Sequence, residues 1–428
     1  MNVLVVGSGG REHALAWKIA QSPLAGRVYC APGNPGIARV AECVDIGVND
    51  FDALVAFAND KSVDLAVVGP EDPLSKGVVD RFAAEGLKAF GPDAAAAQLE
   101  ASKSFAKRLM AKYNIPTAEY AEFDTPDAAI SYVKEKGAPI VIKADGLAAG
   151  KGVTVAHDVD TAVAAIDAAM SARVFGDAGD KVIVEECLVG EEASILAFAD
   201  GARVVAMVPS QDHKPVNDGD TGPNTGGMGA YSPAPVVDDA LLDVIHRTIL
   251  QPCVDGMAEE GAPYKGVLYA GLMITEAGPR VVEFNCRFGD PETQVVLPRL
   301  QSDIVPALVA CCDGALDSVQ LEWDSGACVT VVMASGGYPG AYEKGKPITG
   351  IDDAEGEPGV VVFHAGTGAA GDGLLTNGGR VLGVTASGAG IPAAIDAAYR
   401  AVDCIRFEGA HYRTDIGKKA LVRLGRTG

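Results

Sequence analysis

Short apolar runs alternate with amphipathic stretches over the first hundred residues. Val3–Val6, Arg27–Cys30, Asp64–Val68 and Lys88–Phe90 are β-rich. Between them, Glu12–Gln21 carries Leu15 and Ile19 on one face, and Leu74–Glu85 carries Val78, Val79 and Phe82, the spacing of amphipathic helices. Strand and helix alternating in units this short predict a doubly wound, mostly parallel sheet. Such sheets hold ligands at the carboxyl ends of their strands. The turns there read Gly7-Ser8-Gly9-Gly10, Pro32-Gly33-Asn34 and Gly69-Pro70-Glu71.

The pattern changes near Ser102. Helices are expected over Ser102–Tyr113 and Pro126–Lys136, then a buried strand Pro139–Lys143, a glycine loop and a strand Val153–Ala156. Further strands are expected at Lys181–Glu186, Ala193–Ala199, Arg203–Pro209, Val267–Thr275 and Arg280–Phe284. The polar, glycine-rich stretch Gln211–Pro235 interrupts them, and a loop of that length is expected either to work at a site or to be disordered. A helix Asp303–Cys312 precedes a last region with strands Cys328–Met333, Val360–His364 and Arg380–Thr385 and a helix Pro392–Val402. Three domains are expected, at residues 1–101, 102–315 and 316–428.

Composition narrows the class. The chain has 428 residues, 48% hydrophobic and 21% charged, enough to build real cores. A net charge of −22 argues against a general nucleic-acid binder. No apolar stretch is long enough for a membrane span; the nearest, Ile304–Cys312, contains Pro306. The N-terminus lacks a basic segment before its apolar run and reads as a strand, not a signal peptide. Nine cysteines without a C-x-x-C pair suit a reducing, cytoplasmic compartment, and six scattered histidines make a zinc site unexpected.

Four clusters carry candidate chemistry. Gly7-x-Gly9-x-x-Glu12 lacks the third glycine of a dinucleotide fingerprint, and Ala31-Pro32-Gly33-Asn34 lacks the acidic residue that would hold a ribose. A strand–glycine–helix turn that favours some other phosphate remains, with Arg11 and His13 beside it; a purely structural turn is the plainer alternative. Lys143-Ala-Asp-Gly146-Leu-Ala-Ala-Gly150-Lys151-Gly152 is not a Walker A loop, because strands flank it on both sides. A glycine-rich hairpin can close over a triphosphate, with Lys143 as a fixed point charge; a flexible turn with a solvated lysine is the alternative. Val182 to Glu192 is an apolar strand ending in Glu185, Glu186, Glu191 and Glu192. There a backbone hinge at Glu186–Leu188 could pair with an adenine edge and Glu191 with ribose hydroxyls. In Val281 to Glu292, alternation places Glu283, Asn285 and Arg287 on one face, two oxygen donors and a cation suited to Mg²⁺ plus an anion.

GSGGREHA, VGPEDPL, IKADGLAAGKGV, VEECLVGEEAS, SQDHKPVNDGDTGPNTGGMGAYSP and VVEFNCRFGDPETQ together resemble the glycinamide ribonucleotide synthetase family of the ATP-grasp superfamily. The likeness runs end to end, through SGGYPGAYEKG, FHAGT and TNGGRVLGVTA, with Pro215 departing from the basic residue usual after Lys214. It implies an α/β multidomain fold: a doubly wound N-terminal domain, an ATP-grasp core of two α+β subdomains (the flap roughly 117–190) and a small C-terminal α+β domain. It also implies ATP-dependent ligation of glycine to 5-phosphoribosylamine through a glycyl phosphate. The site residues follow from it: Glu283 and Asn285 for Mg²⁺ or Mn²⁺. ATP falls to Lys103, Lys143, Gly146, Gly150, Lys151, Gly152, Glu185, Glu186, Leu188, Glu191 and Lys214. The substrates fall to Gly9, Gly10, Arg11, Gly69, Glu71, Asp212 and Arg287, with Arg287 and Lys143 catalytic. A monomer or weak homodimer acting on small molecules is expected. Another ATP-grasp ligase or carboxylase, and a non-catalytic nucleotide-binding regulator, are the rival readings.

Overall fold

The computed structural model describes residues 1–148, 152–371 and 373–425. Five parallel strands, β1 (Asn2–Gly7), β2 (Arg27–Pro32), β3 (Glu42–Cys43), β4 (Leu65–Val68) and β5 (Ala89–Phe90), lie in the order β3-β2-β1-β4-β5. Val3–Val6 of β1 and all of β4 are buried, which is why they read as unbroken Val, Leu and Ala runs. Helices α1 (Gly10–Ile19), α2 (Phe51–Asp60), α3 (Glu71–Ser75) and α4 (Val78–Ala84) join them. The single helix expected over Leu74–Glu85 is therefore two. Gly77, at φ +87°, separates them in a conformation that a β-carbon disfavours.

Helices α5 (Gln98–Ala101) and α6 (Lys103–Lys112) follow, and the Ser102 hydroxyl caps α6 by accepting from the Phe105 N–H. Strands β6 (Tyr120–Phe123), β7 (Ile140–Ala144), β8 (Val153–Ala156) and β9 (Val182–Glu186) form an antiparallel sheet in the order β6-β9-β7-β8. Helices α7 (Pro126–Lys136) and α8 (Val159–Ile166) belong to the same unit, which closes over its own core of Val133, Ile142, Ile166 and Val184.

Next come β10 (Glu191–Asp200) and β11 (Val204–Ala206), then β12 (Gln211–Asp212), β13 (Pro215–Asn217), β14 (Thr221–Asn224) and β15 (Gly229–Ser232), then β16 (Lys265–Thr275) and β17 (Gly278–Asn285). The sheet β11-β10-β16-β17 is the floor of the site described below. Gln211–Pro235 is thus no unstructured loop. β13 and β14 pair as a hairpin, and β12 and β15 join β18 (Ala327–Ala334) in the last region. Arg413, 1% exposed, donates to the Pro215 carbonyl at 3.1 Å and to Asp220 at 2.9 Å, and grips Asp415 through two nitrogens. The remaining strands are β19 (Pro347–Ile348), β20 (Val360–His364), β21 (Thr367–Ala370), β22 (Gly373–Thr376) and β23 (Arg380–Gly388). The resulting five-stranded sheet, β12-β15-β18-β23-β20, draws strands from both sides of the boundary expected at 315/316. Among the described residues no helix is long and apolar enough to cross a membrane.

Candidate active site

Lys143, near the end of β7, is 3% exposed; its amine donates to the Val282 carbonyl at 2.8 Å and pairs with Glu185 Oε2 at 3.1 Å. Lys107, on α6, reaches the same oxygen at 3.0 Å and donates to Thr117 Oγ1 at 2.8 Å. Burial pulls the Lys107 amine down to about 8 despite the opposing pull of Glu185. Glu185 Oε1 is buried and has no partner among the described residues. Glu186 is held differently: Arg280 donates to its Oε1 at 2.7 Å, and so does the Glu119 N–H at 3.1 Å. In the bend beyond β9, the N–H groups of Cys187 and Leu188 have no protein acceptor among the described residues. Glu191, at the start of β10, pairs with Arg423 of the C-terminal helix.

Across from this strand end, Glu283 of β17 makes no ion pair or hydrogen bond among the described residues. Burial would raise its carboxyl, but Lys214, Lys143, Lys103 and Arg287 together hold it below the usual range. Lys103 itself donates to the Gly146 carbonyl at 3.0 Å, tying the start of α6 to the base of the glycine hairpin. On the hairpin's other side, the Ala144 N–H donates to the Gly152 carbonyl at 2.8 Å. Gly150 and Lys151 lie outside the described residues. The face expected from simple alternation is modified by a bulge between Val281 and Glu283, opposite Leu272 and Gly271. The bulge leaves the Val282 carbonyl for Lys143.

Asp212 and Lys214, assigned from sequence to different ligands, pair with each other at 2.9 Å, and Glu192 lies 3.4 Å from the same amine. Sequence reasoning missed their neighbour Glu292. It accepts from the Tyr269 hydroxyl at 2.5 Å and from Ser194 at 3.3 Å. Burial, then the charge of Asp212, raises its carboxyl. Glu292 stood in the quoted GDPE run without a role, whereas Lys107 was findable, one helical turn from Lys103.

Arg287 links the core to the first region. It donates to Asn285 Oδ1 at 3.0 Å and pairs with Glu100 at 3.2 Å and with Glu71 at 3.3 Å. Arg11, 8% exposed, donates to the Phe288 carbonyl at 3.2 Å and lies 3.8 Å from Glu71. Burial alone would raise Glu71, but Arg287 and Arg11 bring it down to about 2. One expectation changes here: the Gly9 N–H and the Arg11 Nε do not face an open phosphate cradle, because the Glu12 carboxylate already takes both, each at 2.6 Å. Gly69 packs against the same carboxylate, and Gly10 against Gln294.

Sequence profiles of phosphoribosylglycinamide synthetase match all three regions: the N domain over residues 1–100, the ATP-grasp (A) domain over 101–293 and the C domain over 328–419. The chain belongs to the phosphoribosylglycinamide synthetase family. A phosphoribosylamine–glycine ligase of Vibrio cholerae is 55% identical over 426 residues, 99% of each chain. One of Rhizobium meliloti is 54% identical over 423 residues, again 99% of each. The crystal structure of the Thermotoga maritima phosphoribosylamine–glycine ligase superposes with a TM-score of 0.83 at 34% identity, covering 97% of this chain and 100% of that one. A biotin carboxylase from Campylobacter jejuni, 15% identical with a TM-score of 0.74 over 96% of this chain and 92% of that one, shares the fold. Within the phosphoribosylglycinamide synthetase family, the ATP-grasp core is the part that carries Lys143, Glu185 and Glu283.

Proposed function

We propose that the chain joins glycine to 5-phosphoribosylamine with ATP, giving glycinamide ribonucleotide, ADP and phosphate through a glycyl phosphate. The observation that carries the site assignment is Glu283, a carboxylate unpaired among the described residues, with Lys103, Lys143, Lys214 and Arg287 near enough to lower its pKa. A carboxylate is a poor acyl donor, so the glycine carboxylate must first take the γ-phosphoryl group. That transfer needs positioning and neutralised charge more than an enzyme nucleophile.

The donors fit a divalent metal that arrives with the triphosphate. Glu283 and Asn285 offer hard oxygens, while the surrounding cations repel a bare metal ion and attract phosphate. Mg²⁺ or Mn²⁺, if held by Glu283 and Asn285, would supply positive charge to offset that of the triphosphate. Lys103 and Lys143 supply fixed positive charge, and Gly146, Gly150, Lys151 and Gly152 of the glycine-rich segment are assigned to the phosphates. The unpartnered Glu185 Oε1 is suited to accept from an adenine amino group, and the N–H of Leu188 to donate to a ring nitrogen. Glu186 and Glu191, tied to Arg280 and Arg423, are proposed to frame the nucleotide rather than bond it.

Arg287 is assigned to the glycine carboxylate or the transferring phosphoryl group. Asp212 and Glu292, two carboxylates in one buried cluster, suit the glycine ammonium, whose arrival lowers Glu292 again. Lys214 balances that cluster. The phosphoribosylamine is assigned to the first-region side, through Arg11, Gly10 and Glu71, and its amine then attacks the acyl phosphate and releases phosphate. Incubation with ATP, Mg²⁺, glycine and 5-phosphoribosylamine should release one phosphate per ribosylamine consumed. Release that depends on bicarbonate instead of glycine would make the chain a carboxylase.

A further inference from the structure

Glu12 occupies the place where a doubly wound sheet ordinarily receives its ligand. The strand order reverses between β1 and β4, and the crevice at that point lies between Gly7, the last residue of β1, and Gly69, which follows β4. A β-carbon on Gly7 or Gly69 would collide with the Glu12 side chain, and one on Gly9 would lie 2.9 Å from its Oε2. All three positions, in two turns, are glycine where the carboxylate fills the space a side chain would need. The carboxylate is 3% exposed, accepts from the Gly9 N–H and pairs with Arg11 Nε. These are contacts that a phosphate oxygen makes at a helix N-terminus.

We propose that Glu12 is a built-in anion that stands in for a bound phosphate and acts as a positioning residue for the ribosylamine side of the site. From it a chain of contacts runs through Arg11 to Glu71 and the Phe288 carbonyl, and through Arg287 to Asn285. Glu12 touches no substrate in this arrangement; it sets where Arg11 and the Gly69-Pro70-Glu71 turn stand. The inference rests on the ribosylamine lying on this side, as proposed above.

Glu12→Gln and Glu12→Ala test it. The amide keeps the volume of Glu12 but must point its NH₂ at one of two donors, the Gly9 N–H or Arg11. Glu12→Gln should therefore stay folded with a lowered melting temperature, while its KM for the ribosylamine rises roughly tenfold or more, with KM for ATP and glycine little changed. In Glu12→Ala the vacated crevice readmits a small carboxylate, so sodium formate should restore much of the lost kcat/KM where equal sodium chloride does not. Wild-type kinetics in Glu12→Gln would overturn the proposal, as would a folded Glu12→Ala that formate leaves unchanged. If the KM rise falls on ATP alone and formate still reverses it, Glu12 keeps its role and the placement of the ribosylamine fails.

Discussion

Two glycine-rich strand ends in this protein look alike in sequence and differ in what they leave open. At the end of β1, the turn's N–H and its neighbouring arginine are satisfied internally by Glu12. At the ends of β7, β9 and β17, lysines gather around a carboxylate that nothing in the described protein pairs, and Glu185 keeps a buried oxygen without a partner among the described residues. A buried polar atom without a partner is costly, so the core end is arranged for a ligand that supplies one. The contrast teaches that glycine content marks close approach of backbone, while unpartnered charge marks where a ligand is expected.

The sharpest way to break this contrast is at Glu283. Glu283→Ala should lower kcat by about a thousandfold, the scale of losing a group that stabilises developing charge, with the folded state retained. Steady-state turnover at saturating Mg²⁺ with a parallel melting curve checks it, and near-normal kcat would remove Glu283 from the site. Next, Glu185→Ala strips the shared partner from Lys107 and Lys143, leaving two buried cations. Removing one side of a buried pair costs about 3–5 kcal/mol, so denaturant midpoints should fall clearly, and KM for ATP should rise.

On the satisfied side, Arg11→Ala should raise KM for the ribosylamine and spare ATP and glycine. A charge-assisted hydrogen bond of about 1.5–3 kcal/mol corresponds to a roughly 10- to 150-fold loss of kcat/KM. A loss confined to ATP would place the nucleotide in the wrong region.

The last test concerns the joint between the first and last regions, where the His364 N–H donates to His13 Nδ1 at 2.8 Å. Burial, reinforced for His13 by His364, lowers His13 to about 3, and burial with Arg39 nearby lowers His364 to about 4. Both folded-state values lie below the ordinary 6.5. The stabilisation is therefore complete above pH 6.5 and lost as pH falls toward 4 and 3, at up to about 1.4 kcal/mol per pH unit for each histidine. Urea midpoints at pH 6 and pH 5 check this, and His364→Asn should flatten the slope. An unchanged slope would show that the pair does not govern acid stability.

Much of the fold was legible because its signals are local. The buried Val and Leu runs of β1 and β4 and the period of α1 all depend on residues a few positions apart. The candidate residues Lys143, Glu283, Asn285 and Arg287 stood out for the same reason, as polar or charged groups in otherwise apolar strands. The segment 211–235 was not, because its strands are two to four residues long and the one that ties them into a larger sheet, β15, pairs with β18 a hundred residues away. Low β-content in its own sequence concealed that.

By itself the sequence determined most of the element types outside 211–235, the doubly wound start, the inventory of chemically able side chains and the resemblance to a family. Tertiary structure alone decided which charges meet. It put Glu12 rather than a phosphate in the first turn, Lys107 beside Lys143 on one oxygen of Glu185, and Glu292 beside the Asp212 cluster. The physical reason is range. Propensity and periodicity act over a few residues, whereas an ion pair forms between whichever groups packing brings within about 4 Å, and in this chain those groups lie from one to more than two hundred positions apart.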